Sequence, residues 1–264
     1  MGRRPRLDLS LYLVTDTAMC QELGVAATVS AAVGAGVSAV QLRDVDATDD
    51  ELVCLGLEVL EALRGTGVPL IINDRVDLVA AIGAQGAHVG QGDLDVNRAR
   101  EMLGPDAYLG LSAQTVEHVA AARALDVDTL DGGTLDAGTI DAGTIDAGTI
   151  DAGTIDYLGV GPVWGTTSKL DAATPGGVER LARIVSASPW PCVAIGGITV
   201  ERLAEVRKAG AAGAAVVSAI CGQPDVAAAT RELRSAWDAA AGPLSTPGGP
   251  GARPRGAVSR GASR

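Results

Sequence analysis

The sequence predicts a single α/β domain of the (β/α)8, or TIM, barrel class, and three observations lead there. The chain has 264 residues, a length such barrels commonly reach as one domain. Eight short strand-like runs alternate with helical patterns, the order that builds a parallel sheet. Polar residues gather at the C-terminal ends of those runs, where barrel enzymes carry their active sites.

The strands are read in order as LYLVTD from Leu11, AVQLRD from Ala39, PLIIND from Pro69, AHVGQ from Ala87, YLGLSAQ from Tyr108, YLGVGPV from Tyr157, CVAIGG from Cys192 and AAVVSA from Ala214. Between them lie segments such as DDELVCLGLEVLEALRG from Asp49, with apolar residues at three- and four-residue steps, the spacing of one helix face. Eight units favour closure over an open doubly wound sheet. The barrel is expected over 11–240, after a flexible N-terminus at 1–10. Two parts do not fit it. From 131 to 156, GGTLD is followed by AGTID four times, and a period of five matches neither helix nor strand, so a Gly-rich flexible loop is expected. It lengthens a helix-to-strand connection, on the barrel face away from the active site. The tail 241–264, rich in Gly, Pro, Ser and Arg, is expected to be disordered.

Composition narrows the function. An apolar content of 47% with only 2% aromatics implies a core of Val, Leu, Ile and Ala. The net charge of -11 argues against nucleic-acid binding, which needs a basic footprint. A few local cations, amides or a metal can still hold a small anion. Cys20, Cys54, Cys192 and Cys221 show no CxxC spacing, and no apolar run reaches membrane-spanning length. A cytoplasmic location without membrane contact is expected, and homo-oligomerisation stays open.

At the strand ends stand Gln41 and Arg43, Asn73 and Asp74, Gln91 and Asp93, Ser112, the segment GPVWGTTSK, and Gly196 with Gly197. Any one of them could be a turn or helix cap, but one shared rim suggests a site. Asp74 and Asp93, on neighbouring strands with no His or Cys beside them, suit magnesium, which takes one or two carboxylates and completes its shell with water and phosphate. Each could instead cap the helix that follows. Arg43 and Lys169 bring positive charge to the same mouth. Gly196 and Gly197, with Val217 and Ser218 on the next strand, look like a phosphate cradle. Two phosphate-suited regions suggest two phosphorylated small-molecule substrates, or one phosphorylated at both ends. His88, inside the fourth strand, is expected to be structural and His118 to be exposed on a helix, so general acid–base catalysis is not supported.

The ordered set LYLVTD, QLRD, INDRVDLV, HVGQGDL, LGLS, GVGPVWGTTSK, VAIGGI and AVVSAI resembles the thiamine-phosphate synthase family over about 11–235, apart from the repeat. The resemblance implies a transferase that joins 4-amino-2-methyl-5-hydroxymethylpyrimidine diphosphate to a thiazole phosphate, giving thiamine phosphate and diphosphate. It implies that Gln41, Arg43, Asn73, Ser112 and Lys169 bind the pyrimidine diphosphate, with Arg43, Lys169 and Ser112 in catalytic roles. By the same matching Asp74 and Asp93 hold Mg2+, while Thr166, Thr167, Ser168, Gly197, Val217 and Ser218 hold the thiazole phosphate. The family usually has a Lys two residues after the Arg of QLR; this chain has Val45, which implies a lost diphosphate contact and reduced activity. Three rivals remain at this point: a thiazole tautomerase-like isomerase, which would not need a magnesium pair, a non-catalytic thiamine-precursor binding protein, and another phosphate-binding barrel.

Overall fold

A computed structural model describes residues 5–20, 22–130, 154–166, 168 and 173–241. Its elements run β1 (Leu11–Val14), α1 (Val25–Gly34), β2 (Ala39–Leu42), α2 (Asp49–Leu63), β3 (Leu70–Asn73), α3 (Val79–Ile82), β4 (Gly86–Val89), α4 (Val96–Leu103), β5 (Tyr108–Ala113), α5 (Val116–Leu130), β6 (Tyr157–Val160), α6 (Gly177–Ala187), β7 (Cys192–Ile195), α7 (Leu203–Lys208), β8 (Gly213–Val216) and α8 (Val226–Ala239). The strands form one closed, all-parallel barrel in sequence order, β8 pairing with β1.

Two-residue alternation along each strand divides the core. Leu11, Leu13, Val40, Leu42, Leu70, Ile72, Leu109 and Leu158 face outward into the layer shared with the helices. Their neighbours Tyr12, Val14, Ala39, Ile71, Tyr157, Val193 and Ala215 face inward and form a second cluster inside the barrel. Large and small side chains interleave there: Tyr12 pairs in register with Ala39 on one side and Ala215 on the other. Gly110 is required at its place, because a Cβ there would come within 2.3 Å of the Tyr157 ring and 2.4 Å of His88 Nδ1. The helices begin where the sequence supplies caps. Thr48 and Glu51 form a reciprocal capping box at the start of α2, and Asp95 and Asp225 accept N–H groups at the starts of α4 and α8.

The structure corrects two boundaries. Residues 5–10 are part of the barrel and not a flexible lead: Leu9 is buried, Leu7 packs on the inner cluster, and the Tyr108 hydroxyl donates to the Pro5 carbonyl at 2.9 Å. Apolar side chains placed there close the N-terminal end of the barrel. The last three residues of the repeat are likewise no loose loop. Thr154 and Ile155 are buried, and Asp156 accepts from Arg100 Nη2 at 2.9 Å and from the Leu109 N–H at 2.8 Å. Arg100 also donates to the carbonyls of Thr154, Gly104 and Ala107, so one guanidinium ties the end of α4 to the entry of β6. The rest of the repeat, 131–153, and the tail from 242 lie outside the described residues. Because α5 ends at Leu130 and Asp156 precedes β6, the insertion joins the chain on the N-terminal side of the strands.

Candidate active site

The opposite end of the barrel holds a cavity of about 180 Å³. Its walls include Gln41 and Arg43 from β2 and the residues after it, Asn73 from β3, His88 from β4, Ser112 from β5, and Thr166 and Ser168 from the segment after β6. Six of the residues that the resemblance assigns to substrate therefore meet in one space: Gln41, Arg43, Asn73, Ser112, Thr166 and Ser168. They do so because each inward position near a strand's C-terminal end opens on the same interior. In register, Gln41 lies beside Val14 and Ile71, and Asn73 beside His88. Val14, Val193, Ile195 and Ala215 give the cavity an apolar side opposite its polar one.

Arg43 is held by its backbone: its N–H donates to Thr15 Oγ1 at 3.0 Å, and Thr15 is fully buried. Among the described residues no carboxylate pairs with its guanidinium, and Arg43 lines the cavity. Arg75, by contrast, pairs with Asp49 and donates to the Ala47 carbonyl. The Ser168 N–H donates to Thr166 Oγ1 at 3.2 Å, which tightens that segment. Thr167 and Lys169 lie outside the described residues.

Gly197, Val217 and Ser218 do not line the cavity; Gly196 does. Gly196 and Gly197 have φ of 97° and 63°, a left-handed pair that L side chains rarely adopt, and a Cβ on Gly197 would press on the Gly165 carbonyl. The Arg202 guanidinium donates to the Gly197 carbonyl and lies 4.8 Å from the Trp164 ring centroid. Trp164 belongs to the GPVWGTTSK segment, so this contact joins it to the turn after β7.

Asp74 and Asp93 stand on the loops after β3 and β4, and neither lines the cavity. Neither is a helix cap: α4 is capped by Asp95, and the turn after Asp74 has no side-chain cap. Asp74 is instead the one non-glycine residue with positive φ, 59°, among the described residues. Its N–H donates to the His88 carbonyl at 2.8 Å and its Oδ2 accepts from Asn73 Nδ2 at 2.7 Å. A left-handed non-glycine residue costs about 1–2 kcal/mol, and such conformations concentrate at functional sites. Asp93 Oδ2 accepts the Gly90 N–H at 2.8 Å. No group of three or more His, Cys, Asp or Glu side chains gathers among the described residues. Two oxygen donors without a soft ligand fit magnesium, which draws its remaining ligands from water and phosphate.

Sequence reasoning missed three members of the site's polar wall. Tyr12, His88 and Tyr157 line the cavity, and His88 is engaged at both ring nitrogens: Nδ1 lies 3.1 Å from the Tyr157 hydroxyl and Nε2 3.0 Å from Ser112 Oγ. The Tyr12 and Tyr157 hydroxyls are 2.8 Å apart, and Gln41 Nε2 donates to Tyr12 at 3.3 Å. Burial pushes both phenols above their ordinary pKa, so they stay neutral and able to donate. The missed signal was parity, since Tyr12, His88 and Tyr157 share the inward face with Val14, Gly86 and Gly159. One further expectation is corrected. His118 is half-buried and accepts the Gln114 N–H through Nδ1 at 3.3 Å. Val45 is 64% exposed and outside the cavity lining, because β2 ends at Leu42 and Asp44 Oδ1 folds the next residues into a turn by accepting the N–H groups of Asp46 and Ala47.

Among the described residues no helix is long and apolar enough to cross a membrane. A family model described as thiamine monophosphate synthase matches residues 11–144 and 142–220. A thiamine-phosphate synthase of Azorhizobium caulinodans is 42% identical over 228 residues, covering 86% of this chain and 94% of that protein. One from Psychrobacter sp. is 42% identical over 217 residues, covering 82% and 90%. The solved thiamine phosphate pyrophosphorylase of Pyrococcus furiosus superposes with a TM-score of 0.71 at 29% identity, over 90% of this chain and 99% of that one. A solved 3-hexulose-6-phosphate synthase, at 19% identity and a TM-score of 0.56, shares the fold alone. With the ordered motifs converging on one cavity and relatives of this similarity along nearly the whole barrel, the chain belongs to the thiamine-phosphate synthase family.

Proposed function

We propose that the cavity condenses 4-amino-2-methyl-5-hydroxymethylpyrimidine diphosphate with a thiazole phosphate to form thiamine phosphate and diphosphate. The observation that carries this reading is the convergence of Gln41, Arg43, Asn73, Ser112, Thr166 and Ser168 on one cavity, in a chain of this family. The polar wall takes the pyrimidine, and Val193, Ile195 and Ala215 offer the apolar surface against which flat rings pack. Thr166, Thr167 and Ser168, with Gly197, Val217 and Ser218 at the ends of β7 and β8, are assigned to the thiazole phosphate.

The resemblance supports a dissociative course: diphosphate departs, a pyrimidinylmethyl cation forms, and the thiazole nitrogen captures it. Arg43 stabilises the negative charge that grows on the departing diphosphate, with Lys169 assigned the same task. Asp74 and Asp93 would hold Mg2+, which when bound neutralises diphosphate charge as a Lewis acid. The barrel walls hold the two rings in attack geometry and keep bulk water from the cation. No step calls for a general base, in keeping with a cavity whose one histidine is engaged by Tyr157 and Ser112. Small phosphorylated substrates and a cytoplasmic location belong to this reading. Neither rival of the same family has an observation in its favour: a tautomerase would have no use for the carboxylate pair, and a pure binding protein none for Arg43 at a leaving group. The test is formation of thiamine phosphate by the purified chain with both substrates and Mg2+. Tight binding of both substrates without product would leave a binding protein.

A further inference from the structure

Five polar side chains cross the barrel interior as one hydrogen-bonded chain. Gln41 Nε2 lies 3.3 Å from the Tyr12 hydroxyl, which lies 2.8 Å from that of Tyr157. Tyr157 lies 3.1 Å from His88 Nδ1, and His88 Nε2 lies 3.0 Å from Ser112 Oγ. Gln41 is 5% exposed, His88 8%, Tyr12 2% and Tyr157 1%, so a mismatched donor or acceptor would be costly. An amide nitrogen can only donate, and each phenol has one proton. With the Gln41 nitrogen as donor, the direction is set by requiring that no phenol proton be left without an acceptor. Gln41 donates to Tyr12, Tyr12 to Tyr157, Tyr157 to His88 Nδ1, and His88, protonated at Nε2, to Ser112. The chain ends in two groups that face the cavity. Ser112 Oγ accepts from His88, so its own proton is directed to the cavity. Gln41 has its nitrogen turned to Tyr12, so its carbonyl oxygen is turned the other way.

We infer that Tyr12 and Tyr157 are positioning residues that fix His88 as the Nε2–H tautomer and thereby present a Ser112 donor and a Gln41 acceptor to the substrate, selecting an aminopyrimidine over its oxo counterpart. An exocyclic amine donates to the Gln41 oxygen and a ring nitrogen accepts from Ser112; a 4-oxo group would set two oxygens against each other at Gln41. The selection rests on the proposed function, whereas the tautomer does not.

The chain contains two histidines, which makes the direct measurement simple. With 15N-labelled full-length protein at about pH 8, above the ordinary histidine range, long-range 1H–15N spectra without substrate report which ring nitrogen of His88 carries the proton. The expected result is a protonated Nε2 and a bare Nδ1 in the wild type, with the two shifts moving toward each other in Tyr157→Phe, where Nδ1 has lost its donor. A wild-type His88 protonated at Nδ1 overturns the inference, because the chain would then run the opposite way. Selection is read by calorimetry with the monophosphates of the 4-amino- and 4-oxopyrimidines, which bind without reacting. Wild type should prefer the amino compound, and Tyr12→Phe, in which the Gln41 amide can turn over, should narrow that preference by about tenfold, roughly 1.4 kcal/mol. An unchanged ratio in a folded Tyr12→Phe protein, or no binding of either compound by wild type, overturns the selection. Binding with the expected preference but without product formation would sink the proposed reaction and leave this inference standing.

Discussion

The two ends of the barrel use the same strands for opposite purposes. At the N-terminal end, Leu7 and Leu9 plug the interior, and Arg100 directs its guanidinium at three carbonyls and the Asp156 carboxylate. At the C-terminal end, Arg43 is held, among the described residues, through its backbone, while Gln41, His88 and Ser112 line an open cavity. The Arg100 charge is met within the protein, whereas among the described residues no carboxylate pairs with Arg43. Arg100 and Arg43 thus differ in their surroundings: the first is engaged on all sides by protein groups, whereas the second lines the cavity.

Substitutions at the two ends should separate activity from stability. Arg43→Ala should lower kcat/KM by on the order of 10²-fold or more, the usual effect of removing a group that meets developing charge, with little change in melting temperature. A large drop in melting temperature would show that Arg43 supports the fold. Asp74→Ala should lower turnover by about 10²-fold and weaken diphosphate binding. Wild-type rates at saturating Mg2+ would remove Asp74 from the metal site. At the closed end, Arg100→Ala should cost about 3 kcal/mol of stability, because it strands a carboxylate that is 19% exposed, with KM unchanged in the folded fraction. Denaturant titration beside steady-state kinetics distinguishes the two outcomes. Val45→Lys should act least: an exposed lysine outside the lining is worth at most about 1 kcal/mol, or roughly fivefold in rate. A larger gain would mean that the turn at Asp44 closes over the substrate.

The alternation of strands and helices and the polar strand ends made the barrel legible, since short unbroken apolar runs such as LYLV and LII, each followed by polar residues, recur between helical segments. The chemistry at the rim was legible for the same reason in Gln41, Asn73 and Ser112, each inward and near a strand's end. Alternation stops being a guide where a strand stops. Val45 has the parity of Gln41, yet three residues past the end of β2 a side-chain turn, not the pleat, sets its direction. Deeper in the barrel, Tyr12 and Tyr157 read as ordinary core residues, because hydrogen bonds between residues 145 apart leave no trace in local pattern. The buried repeat end was missed because Thr154 and Ile155 look like the residues of every other unit, and only Arg100, 54 residues earlier, distinguishes them.

That sameness has a consequence for how the chain tolerates change in length. Every unit of the repeat ends in Thr, then Ile or Leu, then Asp, the three residues that settle beneath β6. Removing 137–156 brings Thr134, Leu135 and Asp136 directly before Tyr157, so an equivalent triplet is delivered to Arg100. Insertions or losses in steps of five are therefore interchangeable at the junction, whereas steps of any other size present the wrong residue. The whole-unit deletion should melt within about 1 kcal/mol of wild type, an Ile-to-Leu exchange being nearly volume-conserving, and should keep both Michaelis constants. A deletion of 138–156, one residue short, puts Ala137 in the place of Asp156 and should lose stability on the scale of Arg100→Ala; unchanged stability would show that the junction does not read the triplet. The barrel thus carries a segment whose length can drift by whole pentads, hidden from selection on catalysis, while its last three residues stay the same.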